Sequence, residues 1–240
     1  MLSAMFFDPL YWIVIGAGML LSLWASGVTK RRFAKYSQLG TRSQMTGADV
    51  ARAILRDNQI EGVTVEPVRG SLTDHYDPRS RTLRLSEPVY GGRSMAAFGI
   101  AAHEVGHAIQ HAQGYAMLQF RSFWVPVANL GSGLSIFVII AAFFLGGTAT
   151  AMGGTLAWLG IALFATTTVF TLVTLPVEFD ASRRALACLR GHYVTEAEFD
   201  GAKKVLNAAA MTYVAAFVTS LLTLLYWAMR LGLLGGRSDD

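Results

Sequence analysis

The sequence predicts an α-helical membrane protein with α+β character: about four transmembrane helices, and a polar portion built from a small β-hairpin or sheet and one long helix. Three observations carry that reading. Of 240 residues, 53% are hydrophobic and the mean hydropathy is +0.41, more apolar than an ordinary soluble domain. Residues 122 to 177 form a run of 56 with no Asp, Glu, Lys or Arg, long enough for two crossings. Residues 29 to 121, by contrast, are polar and turn-rich and hold 13 of the 20 Lys and Arg.

The first span covers residues 10 to 28 and is succeeded by Lys30, Arg31, Arg32 and Lys35. A secretory signal peptide carries its positive cluster before the apolar run, so this order reads as a retained span. The same cluster holds the polar portion in the cytoplasm and leaves the amino end outside. In the polar portion, Thr46-Gly47-Ala48-Asp49 has the form of a capping box, opening a helix with an apolar stripe at Val50, Ala53, Ile54 and Leu55 that lasts to Asn58. Residues 63 to 66 alternate as a short strand does. Residues 71 to 76 and 82 to 86 flank the turn-forming Asp77-Pro78-Arg79-Ser80, which predicts a β-hairpin. Ser94 caps the next helix, which continues through His111 and stops near Gly114.

Two further spans lie at 125 to 145 and 156 to 175, joined by a Gly- and Thr-rich turn over 146 to 154. Two crossings return the chain to the side it left. The polar segment 176 to 207 therefore shares a compartment with residues 29 to 121, and Thr195 to Glu198 forms a second capping box within it. A last span covers 210 to 229. Five more basic residues lie between Arg183 and Lys204, so 18 of the 20 fall on one side. That side is predicted to be the cytoplasm, with both termini outside. The net charge of +4 thus stems from orientation in the bilayer and attraction to anionic lipid. Nucleic acid is not an expected partner, because no basic face interleaved with aromatics appears. The single cysteine, Cys188, excludes a disulfide framework and reads as a small buried apolar residue.

Chemistry concentrates in residues 101 to 110, which contain His103-Glu104-Val105-Gly106-His107. Four residues advance a helix by about 6 Å and about 40° in azimuth, so His103 and His107 project side by side and can share one metal ion. Glu104 lies beside such an ion, where it can polarise a bound water. Neutral imidazole suits zinc, and a catalytic zinc takes three protein ligands plus an open position. The extended three-histidine form of the motif needs Gly at 110 and His at 113, where this chain has Gln110 and Gln113. His111 lies on the same stripe, but three successive turns of a straight helix diverge too far to chelate a tetrahedral ion, so it reads as a supporting or surface residue. The third ligand is expected to be Glu178, an acid that appears directly after the uncharged run in Leu175-Pro176-Val177-Glu178-Phe179-Asp180-Ala181-Ser182, on the first turn of a new helix.

Around this set, Asp180 and Ser182 are placed to orient the histidines or to cap and meet solvent. His75, Tyr76, Tyr90, His192, Arg183 and Arg184 are the side chains available to hydrogen-bond a developing oxyanion, and the sequence does not choose among them. Thr82, Leu83, Arg84, Leu85 and Ser86, the strand preceding the metal helix, read either as an ordinary sheet strand or as the edge to which an extended peptide adds.

Residues 71 to 78, the helix over 101 to 112, the 175 to 182 segment and the 203 to 209 segment together resemble the bacterial YugP-type neutral zinc metallopeptidases, a membrane family, and the similarity runs over nearly the whole chain. The resemblance implies a zincin-like, gluzincin-type portion with one Zn2+ per chain held by His103, His107 and Glu178, and Glu104 as general base. It implies a multi-pass protein of the bacterial inner membrane that hydrolyses peptide bonds of protein substrates at the cytoplasmic surface. More distantly the chain is similar to CAAX-processing and heat-shock membrane peptidases, in which an Asp stands four residues after the ligand glutamate; here that position is Ser182. The competing expectation is a catalytically silent zinc-binding scaffold or partner subunit, and a membrane-protein partner or a second copy suits either role. An intramembrane protease is disfavoured, because the motif helix lies in the polar portion between Arg93 and Arg121.

Overall fold

The computed structural model describes residues 8 to 232. The elements in order are α1 (Pro9–Ser37), α2 (Gly47–Asp57), β1 (Thr64–Val68), β2 (His75–Asp77), β3 (Thr82–Ser86), α3 (Glu87–Tyr90), α4 (Met95–Ala112), α5 (Ala116–Phe144), a 3-10 turn (Gly147–Ala149), α6 (Ala151–Leu189) and α7 (Glu196–Arg230). Four of these, α1, α5, α6 and α7, are long and apolar enough to cross a membrane. The described residues divide into two compact units, one of residues 8 to 24, 120 to 174 and 213 to 232, the other of residues 25 to 119 and 175 to 212.

The first unit contains the apolar stretches of the four long helices. Phe123, Leu130, Phe137 and Phe144 along α5, and Trp158 on α6, are exposed, as expected of side chains whose solvent is lipid rather than water. Helices pack where side chains are small. A Cβ at Gly131 would lie 2.4 Å from the Leu163 carbonyl oxygen, and one at Gly18 would lie 2.5 Å from Cγ2 of Thr219. Tyr226, Trp227, Ile139 and Ala157 form the buried centre. At one end, Asp8 accepts from the Tyr226 hydroxyl at 3.0 Å and pairs with Arg230 at 3.3 Å.

The second unit is built around α4, buried over most of its length from Ala96 to Gln110. Ser94 caps it by accepting from the Ala97 N–H at 3.2 Å. The helix stops at Ala112, and Gly114 lies just beyond it in the left-handed region at φ 63°. Helix α2 opens with the expected reciprocal capping box of Thr46 and Asp49 and buries Val50, Ile54 and Leu55. The second capping box also forms, Glu198 accepting from the Thr195 N–H at 2.7 Å.

Strands β2 and β3 pair antiparallel, with Tyr76 opposite Leu83, so the hairpin is present. Its turn is held by Asp77, which accepts from the Arg79 N–H and the Ser80 hydroxyl. The expected substrate strand is corrected by the sheet order β1-β3-β2. Thr82, Leu83, Arg84, Leu85 and Ser86 form the central strand, and β1 pairs parallel along all five residues. On the other side β2 covers Thr82 to Arg84, and Asp74 takes the Ser86 N–H at 2.7 Å. Strand addition needs unpaired backbone groups, and here they are already used.

Helix α6 also differs from expectation. Glu178 does not open a new helix, because α6 runs unbroken for 39 residues with Pro176 inside it. A proline removes one backbone donor but need not end a helix when neighbouring helices satisfy the freed groups.

Candidate metal centre

Helix α4 supplies both histidines. Their rings lie 4.8 Å apart between centroids and nearly perpendicular, at 82°. Opposite them, α6 presents Glu178, whose Oε2 is 3.1 Å from His103 Nε2 and 3.5 Å from His107 Nε2. One ligand atom from each of these three residues lies within 4.8 Å of the others. The acid is 3% exposed, and a carboxylate removed from water needs cationic or hydrogen-bonding partners.

The close meeting of the two helices depends on Gly106, inside the motif. A Cβ there would sit 2.4 Å from the Ala181 carbonyl oxygen, so only a hydrogen at that position lets α6 approach. A second approach is at Gly99, where a Cβ would meet Ala202 of α7 at 3.3 Å.

Each histidine is oriented through its other ring nitrogen. His103 Nδ1 lies 3.1 Å from the Ser182 hydroxyl. His107 Nδ1 lies 3.0 Å from the side-chain oxygen of Gln110, which can only accept, so this nitrogen carries the proton. Gln110 is 0% exposed. Its amide donates to the Val177 carbonyl at 2.8 Å and to Asp180 Oδ2 at 2.9 Å. Arg183 and Arg184 in turn pair with Asp180. An imidazole that donates from Nδ1 keeps its Nε2 lone pair for a metal. The Nε2 atoms of the two histidines and a buried carboxylate oxygen are a donor set of three that fits zinc.

Glu104 is also buried, and burial pushes its carboxyl up to about 7; the neighbouring His103 opposes that rise, Glu178 and Asp74 add to it, and the Tyr76 backbone N–H opposes it. A carboxyl held there exchanges protons near neutral pH.

The other candidate residues are dispersed. Tyr76 is the oxyanion candidate that reaches the neighbourhood of Glu104, and its hydroxyl lies 2.8 Å from His111 Nδ1. His111 therefore stands outside the metal cluster, engaged by tyrosine. Strand alternation turns His75 to the opposite face of β2, where its ring meets the Thr73 carbonyl at 2.9 Å. Tyr90 accepts from Arg52, His192 lies in an exposed turn against the Arg190 carbonyl, and Arg183 is 77% exposed on Asp180. Gln110 and Gly106 shape the candidate site, and the sequence does not single them out. Gln110 falls three residues beyond His107 on the same helical face, which is a usable signal; Gly106 offers none, since only the partner helix explains it.

Together these features define a class: a helical membrane protein with four helices long and apolar enough to cross a bilayer, in which two imidazoles on one helix and a carboxylate on another form a donor set that fits a metal ion. Residues 11–232 match the family described as "Putative neutral zinc metallopeptidase", and the chain belongs to that family. It is similar to the "Putative membrane protease YugP" of Bacillus subtilis (strain 168), 46% identical over 225 residues, which is 93% of this chain and 96% of that protein. No solved structure matches the chain.

Proposed function

We propose that the protein is a gluzincin-type metalloendopeptidase, holding one Zn2+ per chain on His103, His107 and Glu178 and hydrolysing peptide bonds of protein substrates at the cytoplasmic surface of the bacterial inner membrane. The observation that carries this reading is the convergence of the two Nε2 atoms and the Glu178 oxygen beside a buried Glu104. Zinc, when bound, supplies Lewis acidity, lowering the pKa of a ligated water and polarising the scissile carbonyl. Glu104 accepts the proton of the attacking water and delivers it to the leaving amine nitrogen. Ser182 and Gln110 hold the imidazoles with Nε2 toward the metal position, and Asp180 with its two arginines anchors Gln110.

An extended substrate adds to an outer edge of the sheet, and β2, which carries Tyr76, is the edge strand beside Glu104. The cytoplasmic assignment, with both termini outside, is supported by the 18 basic residues on one side of the spans.

Glu104→Gln is the deciding variant. It keeps the shape and all three metal ligands, so zinc content is expected to stay at one per chain while cleavage of an unfolded protein substrate falls by roughly 10²- to 10⁴-fold. Wild-type cleavage by this variant overturns the mechanism. Zinc on the wild-type protein with no Glu104-dependent cleavage of any substrate points instead to a silent zinc-binding scaffold.

A further inference from the structure

A cleft of about 420 Å³ lies between the carboxyl-terminal part of α1 and the start of α7, lined by Val28, Arg32, Phe179, Lys204, Asn207 and Met211. Its polarity is divided. Arg32, Lys204 and Asn207 come from the polar stretches of the two helices, and Val28 and Met211 from their apolar stretches. The two helices meet at this level, where the Thr29 hydroxyl lies 2.9 Å from the Ala208 carbonyl of α7 and 2.9 Å from the Ala25 carbonyl of its own helix. Both helices thus change from apolar to basic at the same height, with the cleft across the change.

The charges in it are available. Some basic side chains of the same unit are matched with acids: Arg52 with Asp49, Arg84 with Glu66 and Asp77, Arg183 and Arg184 with Asp180, Arg190 with Glu196. Arg32 and Lys204 are exposed and make no ion pair among the described residues. A second cleft of about 270 Å³ adjoins, lined by Val28, Arg31, Arg32 and Lys35, so the positive field continues past Arg32. Phe179, also on the wall, is 46% exposed.

We infer that this cleft is a binding site for one anionic phospholipid, its phosphate held by Arg32 and Lys204 and its first acyl carbons lying on Val28, Phe179 and Met211. Charge complementarity selects the anionic headgroup, and the apolar wall selects a lipid over a free anion. Phe179 is the residue directly after the proposed metal ligand Glu178 in α6, so an occupied cleft packs against the same helical turn that carries that ligand.

The test titrates the full-length protein in detergent with phosphatidylglycerol and with phosphatidylcholine of the same acyl chains, counting bound lipid by native mass spectrometry. Wild-type protein is expected to bind one phosphatidylglycerol more tightly than phosphatidylcholine. Arg32→Gln with Lys204→Gln is expected to lose that preference, weakening phosphatidylglycerol binding by roughly tenfold or more and leaving phosphatidylcholine binding unchanged. Arg56→Gln with Arg79→Gln removes the same charge from exposed positions outside the cleft and is expected to bind like wild type. Three results overturn the inference: equal affinity of wild type for the two lipids, equal loss in both double variants, or displacement of the bound lipid by inorganic phosphate.

Discussion

At the scale of single residues, Gln110 is the position whose chemistry is most constrained. Its oxygen accepts from His107 and its amide serves Val177 and Asp180, so three buried groups lose a partner if the side chain is removed. Gln110→Ala is expected to weaken zinc binding by roughly 10- to 100-fold, read by competition against a chromophoric chelator. Gln110→Glu retains the acceptor for His107 but cannot donate to Asp180, and sets two carboxylates side by side. It is expected to bind zinc more weakly than wild type as well, and unchanged affinity in both variants would show that His107 needs no such support. Ser182 plays the equivalent part for His103. An acid lies two residues earlier, at Asp180, and acts on the other histidine through an amide.

At the scale of elements, the site is an intersection of two helices, and its precision comes from backbone contact. Gly106→Ala places a methyl carbon 2.4 Å from the Ala181 carbonyl oxygen, and both partners are backbone in buried helices that cannot swing aside. Separation of α4 from α6 is the expected response, with a cost of about 1–3 kcal/mol or more and a parallel loss of zinc affinity. Gly99→Ala, at 3.3 Å from Ala202, asks for a shift of tenths of an ångström and is expected to cost less. Thermal unfolding and metal titration of the two variants check the ranking.

The capping of α2 offers a pH test. The Thr46 hydroxyl and then its backbone N–H hold the Asp49 carboxyl below its ordinary value. A depressed carboxylate adds stability that is present above its unfolded pKa of about 3.9 and is lost as pH falls through the lower folded value. Asp49→Asn is therefore expected to cost about 0.5–1 kcal/mol at neutral pH, with the gap to wild type narrowing below about pH 4. A gap that is constant with pH would show that charge is irrelevant to the cap.

At the scale of the whole molecule, orientation in the bilayer is the property that decides which substrates are within reach. Cys188 is the one cysteine of the chain, so a Cys188→Ala background accepts single reporters without interference. Arg69→Cys, on an exposed part of the polar portion, is expected to react with a membrane-impermeant maleimide in inverted vesicles and not in intact cells; Thr148→Cys, in the turn between α5 and α6, is expected to do the reverse. The opposite pattern overturns the cytoplasmic assignment and leaves the metal centre intact, because the centre lies wholly within one compact unit.

Much of this protein is legible in its sequence, because the signals involved are local. Hydrophobic length marks the four long helices, Ser94, Thr46 and Thr195 mark helix starts, Asp77-Pro78-Arg79-Ser80 marks the hairpin turn, and the spacing of His103 and His107 places two imidazoles on one helical face. Glu178 is legible by position alone, as the first acid after the uncharged run. Strand order, the unbroken course of α6 through Pro176, the turning away of His75, and the link from Asp180 through Gln110 to His107 depend on which surfaces meet after folding. Periodicity along one chain carries no record of a partner 67 or 70 residues away, so those features belong to the tertiary structure, where close backbone packing at Gly106 brings the second helix to the first.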